Sequence, residues 1–397
     1  MQMPVVQPDA ESEPEVSVVM PCLNEAETVA TCVKKAREAM ARDHIDGEIV
    51  VADNGSVDGS QALAEAAGAR VVPVAEPGYG SALMGGIAAA RGRYVIMGDA
   101  DDSYDFGDVP KFVHKLRQGF ELVQGCRLPA GGGTVLPGAM PPLHFWFGNP
   151  LFSMLSRWWF QAPINDIYCG MRGFTRELYQ RLDQRCTGME FATEMVIKAS
   201  LTKARIGEVP ITLHPDGRRA HPPHLNTWRD GWRTLRFFLM CSPRWLFLIP
   251  GLLLMLFGAL GFALALPGTV AWGGWSLDAH TLLVSSLAAV LGYQAIWFSV
   301  IAKSIAIASG VLPADQRMER FHRWATLERG VVFGVVCTLL GSALVLAAVW
   351  QWAERGYGEL PYALGMRLVI PGMTLMTMGT QSVFSSFLVS LIGLRRR

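Results

Sequence analysis

Charged side chains are scarce in this chain of 397 residues: 17% of the total, against 51% hydrophobic. An ordinary soluble protein carries about a quarter charged residues. The shortage is local. No Asp, Glu, Lys or Arg lies between Arg244 and Asp278, between Asp278 and Lys303, between Arg329 and Glu354, or between Arg367 and Arg395. The formal net charge is only +1, so bulk charge points to no polyanion and no nucleic-acid partner is expected. The seven cysteines form no Cys-x-x-Cys pair and show no His spacing suited to zinc. Reduced thiols in a cytosolic compartment fit best. No Gly-x-Gly-x-x-Gly follows the first strand and no Walker lysine loop occurs, which disfavours a dinucleotide-binding Rossmann domain and an ATPase. The first 14 residues are polar and Pro-rich, so residues 1–14 are expected to be a disordered tail rather than a signal peptide.

The uncharged stretches define four apolar segments, 245–267, 281–302, 330–353 and 368–393. Each exceeds the ~20 residues needed to cross a bilayer. Core helices of a large soluble domain are the competing reading, and four such stretches in succession argue against it. The loop 268–279 has no Lys or Arg, whereas 303–329 carries Lys303, Arg317, Arg320, Arg323 and Arg329, and the chain ends in Arg395, Arg396 and Arg397. The positive-inside rule then places the first domain, the middle loop and both termini on the cytoplasmic side of an inner or cytoplasmic membrane. Before the first span, Trp228, Trp232, Leu235 and Leu239 share one helical face and Arg229, Arg233 and Arg236 another. This is the pattern of a helix in the headgroup layer. The segment His144–Phe160 is too aromatic for a solvated surface and too short to span; core packing and membrane contact both fit it.

Upstream, strands and helices alternate, which predicts an α/β domain. Strands are expected at 16–20, 48–52, 70–74, 94–97 and 120–124, with helices at 27–42, 60–67 and 81–90. Polar turns follow successive strands: 21–25, 53–58 and 78–81, the last opening a helix whose free N–H groups suit an anion. After the strand at 94–97 come Asp99, Asp101, Asp102 and Asp105. Carboxylates this close repel unless something positive lies between them. At the C-terminal end of a buried parallel strand they fall where open α/β sheets bind ligands. An Asp-x-Asp there suits a hard cation holding phosphate oxygens, and an isolated acidic turn would read as solvent-facing. Together the four turns outline a nucleotide-sized crevice.

The stretches "VSVVMPCLNEAETV", "IVVADNGSVDGS" and "YVIMGDADDSYDF" resemble the inverting family 2 glycosyltransferases with the GT-A fold. "NDIYCGMRGF" (165–174), with the amphipathic helix and the spans, resembles the polyprenyl-phosphate (dolichyl-phosphate) hexose synthase branch. The resemblance implies a GT-A domain over 15–224, a juxtamembrane helix over 225–242 and a four-helix transmembrane domain over 243–397. It implies donor binding by Pro21, Leu23, Glu25, Asp53, Asp99, Ala100 and Asp101, with Asp53 reading the base. Asp99 and Asp101 match the pair that holds magnesium or manganese. Ser103 stands where some relatives have Gln as a further ligand. Arg127, and Arg218 or Arg219, match phosphate-binding arginines; Asp166 is a candidate contact to sugar or acceptor phosphate, or a turn cap. The implied partners are a nucleotide sugar, UDP-glucose before GDP-mannose, and a polyprenyl monophosphate, with a tetramer or dimer as the implied assembly. The Gln-x-x-Arg-Trp motif of processive synthases is missing, which favours a single transfer.

An acceptor phosphate is already anionic near neutral pH and needs no strong general base. Two alternatives stay open. A transferase acting on a glycan or glycolipid hydroxyl would need a carboxylate base, with Glu190 or Asp166 as candidate. An inactive transport or scaffold protein would not need the Asp-x-Asp. Asp102 and Glu194 read as structural, and Arg172 as an internal salt-bridge residue. Cys169 reads as a small packed residue. His214, His221 and His224 read as part of a flexible lid before they read as a zinc site.

Overall fold

The apolar run from Val16 to Met20 is fully buried, which is what a strand covered on both faces requires. The computed structural model describes residues 13–218, 227–272, 274–359 and 362–394. The expected tail lies almost wholly outside them, as do Arg219, His221, His224 and the C-terminal arginines. In chain order the first part comprises β1 (Val16–Cys22), α1 (Val29–Arg42), β2 (Gly47–Asp53), α2 (Ser60–Ala66), β3 (Arg70–Pro73), α3 (Tyr79–Ala89), β4 (Tyr94–Met97) and α4 (Val109–Arg117). Then follow β5 (Leu122–Cys126), β6 (Thr134–Val135), α5 (Asn149–Phe160), β7 (Arg172–Thr175), α6 (Arg176–Leu182), α7 (Glu190–Leu201), β8 (Ile206–Pro210), β9 (Thr212–Leu213) and α8 (Thr227–Cys241).

The main sheet has the order β3-β2-β1-β4-β7-β5-β8. β1 runs parallel to both β2 and β4, while β7 is antiparallel to both β4 and β5. The chain moves outward from β1 through β2 to β3, then returns to β4 on the other side of β1. That reversal creates a crevice outside the carboxyl ends of β1 and β4, where ligands of open sheets bind. The core beneath is built from Met20, Ile96, Phe106, Phe112 and Leu116, all buried. α4 is an ordinary amphipathic helix: Val109, Phe112, Val113 and Leu116 face inward.

The sheet is mixed rather than wholly parallel, because "NDIYCGMRGF" supplies β7 between β4 and β5. β5 begins two residues later than expected, since Phe120 is held outside it, beneath the cations of Lys115 and Arg205 at 4.8 and 4.9 Å. A two-stranded sheet pairs β6 with β9, and Tyr104 bridges to Leu213. This ties the segment after β9 to the acidic cluster.

The chain divides into two compact units between Phe237 and Phe238. The second holds α9 (Ile249–Ala265), the hairpin β10 (Val270–Trp272) and β11 (Trp275–Leu277), α10 (Ala279–Ala308), α11 (Gln316–Trp324), α12 (Leu327–Glu354) and α13 (Tyr362–Leu394). Among the described residues, four stretches are long and apolar enough to cross a membrane: Arg244–Ala265, Ala279–Ala308, Leu327–Glu354 and Gly365–Gly393. Each contains most of an expected span. Leu252, Leu256, Phe257 and Leu260 face outward from α9. Between lipid-facing helices the hydrophobic effect is weak, so close backbone approach takes over. A Cβ on Gly334 would lie 2.6 Å from the Gly379 carbonyl, and one on Gly341 2.5 Å from that of Gly372. These glycines recur seven apart on α12 and α13, so the two helices pack almost backbone to backbone.

Candidate active site

The loops after β1, β2 and β3 are cross-linked by short polar side chains. Asn24 accepts from the Val57 amide at 3.0 Å, and Ser56 Oγ accepts from the Asn24 amide at 2.9 Å. Asn54 Nδ2 donates to the carbonyls of Val74 and Glu76 at 2.9 and 2.8 Å, and Asn54 Oδ1 accepts from the Gly78 amide at 2.7 Å. Asp53, at the end of β2, accepts from the Gly55 amide at 3.1 Å and from Gln61 Nε2 at 2.6 Å. Burial raises its pKa, but hydrogen bonds from Ser56 and Gln61 outweigh that and hold it below the usual carboxylate value. Asp53 therefore shapes its own turn, whatever it does for a ligand.

Not every N–H group expected at the start of α3 is free. The Ser81 amide donates to the Thr187 carbonyl at 3.1 Å, and Gly78 is committed to Asn54. The approach is tight: a Cβ on Gly80 would lie 2.4 Å from the Cys186 carbonyl. The anion site expected at 78–81 is thus partly occupied by the chain itself.

Asp99 and Asp101 follow β4 directly and lie at the crevice. Asp99 accepts from the Tyr79 hydroxyl at 2.8 Å. Its carboxyl is pushed up to about 6, by burial first and by the charge of Asp101 second. Asp101 Oδ1 accepts from the Ser103 amide at 3.0 Å and from Ser103 Oγ at 2.6 Å. Ser103 thus orients Asp101, and its hydroxyl is turned to a carboxylate rather than held as a separate ligand. Asp102 adopts φ 61° and pairs with Lys35 at 2.7 Å, so it belongs to the turn. Among the described residues no three His, Cys, Asp or Glu side chains gather as a metal-ligand group. A crowded acidic pair still fits a hard cation that takes its other ligands from phosphate and water.

Arg219 lies outside the described residues, and Arg218 is brought to Asp101. Its Nε donates to both Glu25 oxygens at 3.0 Å, and its Nη1 lies 3.3 Å from Asp101 Oδ2. Two backbone bonds bring the segment there: the His214 amide donates to the Ser103 carbonyl and the Gly217 amide to the Asp101 carbonyl, both at 2.9 Å. Of the other donor candidates, Leu23 is exposed and Pro21 half-buried at the end of β1. Ala100 packs into the core, which leaves only its backbone to a ligand.

Arg127 and Asp166 meet, but as partners of each other. Arg127 Nε donates to Asp166 Oδ2 at 2.7 Å and Nη2 to Oδ1 at 2.9 Å, and the Arg127 amide donates to Oδ2 at 3.1 Å. Asp166 is 0% exposed. With both oxygens committed to Arg127, this carboxylate is not a free base in the arrangement seen here. Arg127 keeps Nη1, 3.5 Å from the Tyr104 hydroxyl. Arg172 corrects an expectation. Its guanidinium donates to the backbone carbonyls of Ala192 and Cys169, at 2.5 and 2.6 Å, rather than to a carboxylate. Glu194 pairs with Lys198 at 2.7 Å and caps the amides of Arg185 and Cys186. Glu190 sits half-buried in the first turn of α7. Burial pushes the Cys169 thiol up to about 12, so it is no nucleophile.

Sequence reasoning missed Tyr79 and Tyr104. Tyr79 holds Asp99, and the Tyr104 hydroxyl accepts from the Gly170 amide at 2.8 Å. Both lay inside segments already singled out, but a tyrosine between glycines or aspartates carries no signal of its own.

Residues 17–183 match the glycosyl transferase family 2, and residues 300–393 match the glycosyltransferase family 2 C-terminal transmembrane region. A low-salt glycan biosynthesis hexosyltransferase, Agl6, of Haloferax volcanii is 36% identical over 390 residues, covering 97% of this chain and 91% of that protein. A dolichyl-phosphate hexose transferase of the same organism is 30% identical over 220 residues, 55% of this chain and 89% of that one. Among solved structures, glucosyl-3-phosphoglycerate synthase of Mycobacterium tuberculosis aligns at 23% identity with a TM-score of 0.45, over 58% of this chain and 80% of that one; at that distance it bears on neither substrate nor metal. A GT-A-like α/β domain joined to four candidate spans defines a multi-pass membrane glycosyltransferase. The chain belongs to the family 2 glycosyltransferases that carry a C-terminal transmembrane region.

Proposed function

We propose that the protein transfers one hexose from a nucleotide sugar to a polyprenyl monophosphate at the cytoplasmic membrane face, inverting the anomeric carbon. The carrying observation is the Asp99–Asp101 pair at the strand-order reversal, with Arg218 on Asp101 and Arg127 close by. Asp99 and Asp101 would hold magnesium or manganese, and the bound cation would neutralise the leaving diphosphate. Arg218, and Arg127 through its remaining Nη1, offset the charge of an anionic acceptor, since guanidinium matches phosphate with paired donors. The names of the two Haloferax relatives support a hexosyl donor, and one of them a lipid-phosphate acceptor. UDP-glucose is the preferred donor and GDP-mannose the second. A hydroxyl acceptor would need a free carboxylate base; Asp166 is committed to Arg127, which leaves Glu190 as the candidate for that reading.

The test is a panel of radiolabelled nucleotide sugars with undecaprenyl phosphate, with and without manganese or magnesium. Lipid-extractable label that requires the metal is the expected result. Asp101→Asn, which keeps an oxygen for Ser103, should lose at least about 10²-fold of the rate, the scale of losing one preorganised electrostatic group. No labelled lipid with any donor, or full activity of Asp101→Asn, defeats the reading.

A further inference from the structure

The second unit contains one helix hairpin twice. The stretch GLLLMLFGA of α9 (251–259) returns as GVVCTLLGS in α12 (334–342), and GYQAIWFS of α10 (292–299) returns as GTQSVFSS in α13 (379–386). The structure packs the small residues of both hairpins in the same register. A Cβ on Gly251 would lie 2.9 Å from the Gly292 carbonyl, and one on Gly258 2.8 Å from that of Ser285. Gly334 meets Gly379 and Gly341 meets Gly372 in the same way. Membrane domains are often built from such repeats, and parallel ones are commonly related by an axis along the membrane normal.

The repeat gives residues of α10 their counterparts on α13: Ser286 matches Met373, Leu287 matches Thr374, Tyr293 matches Thr380 and Ala295 matches Ser382. The hairpins meet where Ser286 Oγ lies 2.6 Å from Thr374 Oγ1 and the Tyr293 hydroxyl 2.6 Å from Ser382 Oγ. A two-fold pair makes every contact twice, with the roles exchanged. Leu287 would then be covered by Met373, and Ala295 by Thr380. Instead Leu287 is 59% exposed, Met373 is 52% exposed, and Thr380 is exposed as well. The hairpins therefore meet head to tail. The head face of the first (Ser286, Tyr293) covers the tail face of the second (Thr374, Ser382). The head face of the second (Met373, Thr380) and the tail face of the first (Leu287, Ala295) are left without a protein neighbour among the described residues.

We propose that these two faces dock copies of this chain onto one another inside the bilayer, head face to tail face. The chain itself argues for that occupant. It already joins one head face to one tail face, and a second copy carries the counterpart of each. Gln294 points the same way. It lies seven residues beyond Leu287, hence on the same side of α10, and is half-buried in the middle of a span. A glutamine there gains from a hydrogen bond across helices, which lipid tails do not offer. Its counterpart Gln381, in the hairpin whose tail face is covered, has its Oε1 buried. Contacts of this heterologous kind use each face once per copy, and they close into a ring where the rotation allows.

The test combines Leu287→Cys with Met373→Cys in a full chain whose seven native cysteines are replaced, oxidised in its native membrane with copper phenanthroline. Dimers and higher multiples on non-reducing gels are expected, at least about tenfold above a control that pairs Met373→Cys with Leu256→Cys, exposed on α9. Either of the two cysteines alone should leave the chain monomeric, and the two single variants co-expressed should give dimers and nothing larger. The wild-type chain, taken from the membrane in polymer nanodiscs, should show more than one copy by native mass spectrometry, a readout that needs no substitution. A single copy there, or multiples no more abundant than with the control pair, overturns the proposal. So does a dimer formed by either cysteine alone, which would be a two-fold contact. Neither readout depends on turnover, so the proposal stands or falls separately from the proposed reaction.

Discussion

Arg218 bridges two carboxylates of different origin, Glu25 after β1 and Asp101 after β4, although almost two hundred residues separate it from Glu25. Its paired N–H groups match a carboxylate now and would match a phosphate equally well. Arg218→Ala should lower kcat/KM by about 10²–10³-fold, the range for removing a preorganised donor. Arg218→Lys keeps the charge but loses the fork, and should recover only part of that loss. Equal rates for wild type and Arg218→Ala would show that the arginine only closes the site. Asp166 leads to a different expectation. Asp166→Asn would leave Arg127 buried without its counter-charge, a loss of about 3–5 kcal/mol where a buried pair is broken. A marked fall in thermal midpoint is expected. A large fall in kcat with an unchanged midpoint would instead return Asp166 to the reacting groups.

At the scale of elements, Glu48 shows how one side chain ties several together. From β2 it accepts from Ser17 Oγ of β1 at 2.8 Å, from Arg70 Nη2 of β3 at 2.6 Å and from the Arg91 amide beyond α3 at 2.6 Å. Burial raises its pKa, but the bonds from Arg70, Arg91 and Ser17 outweigh this and hold it below the ordinary value. A depressed folded pKa means stabilisation that is complete above the unfolded value of about 4.3 and lost as pH falls through the folded one. Glu48→Gln should be less stable at neutral pH and lose less stability on acidification. Thermal midpoints of both proteins from pH 7 to pH 3 measure this, and parallel curves would reject it. Such ties are invisible in sequence, whereas β1, β2 and β4 are legible because strands buried on both faces read as unbroken apolar runs. β7 is not. It has four residues, one an arginine, and Gly173 sits where a Cβ would meet Ile96 at 2.6 Å. The acidic pair was legible from its place after an apolar strand. The pairing of Arg127 with Asp166 was not, because 39 residues separate them and no local pattern links them.

For the whole molecule, the distribution of cations leads to a prediction of how the chain threads the bilayer. The segment between α10 and α12 carries Arg317, Arg320 and Arg323 on α11, whereas the segment from 266 to 277 has no Lys or Arg. Arg355 and Arg367, at the opposite end of the spans from α11, count against a simple rule. Arg367 pairs with Asp278 at 2.8 Å and also donates to Thr269 Oγ1 at 3.2 Å, so its charge is offset where it sits. With Arg367 discounted, the three arginines of α11 outnumber Arg355, so α11 and the α/β unit should share the cytoplasmic side, as an even number of spans also requires for the two ends of the chain. Ser276 and Ser309, both exposed, lie at opposite ends of α10 and give the test. In a background with the seven native cysteines replaced, Ser276→Cys should react with a membrane-impermeant maleimide added to intact cells. Ser309→Cys should react only after permeabilisation. If both label from outside, or neither does, α10 does not cross as a span. If the pattern is reversed, the cation bias does not set the orientation, and the nucleotide crevice would face away from the cytoplasmic nucleotide sugars the proposed reaction needs.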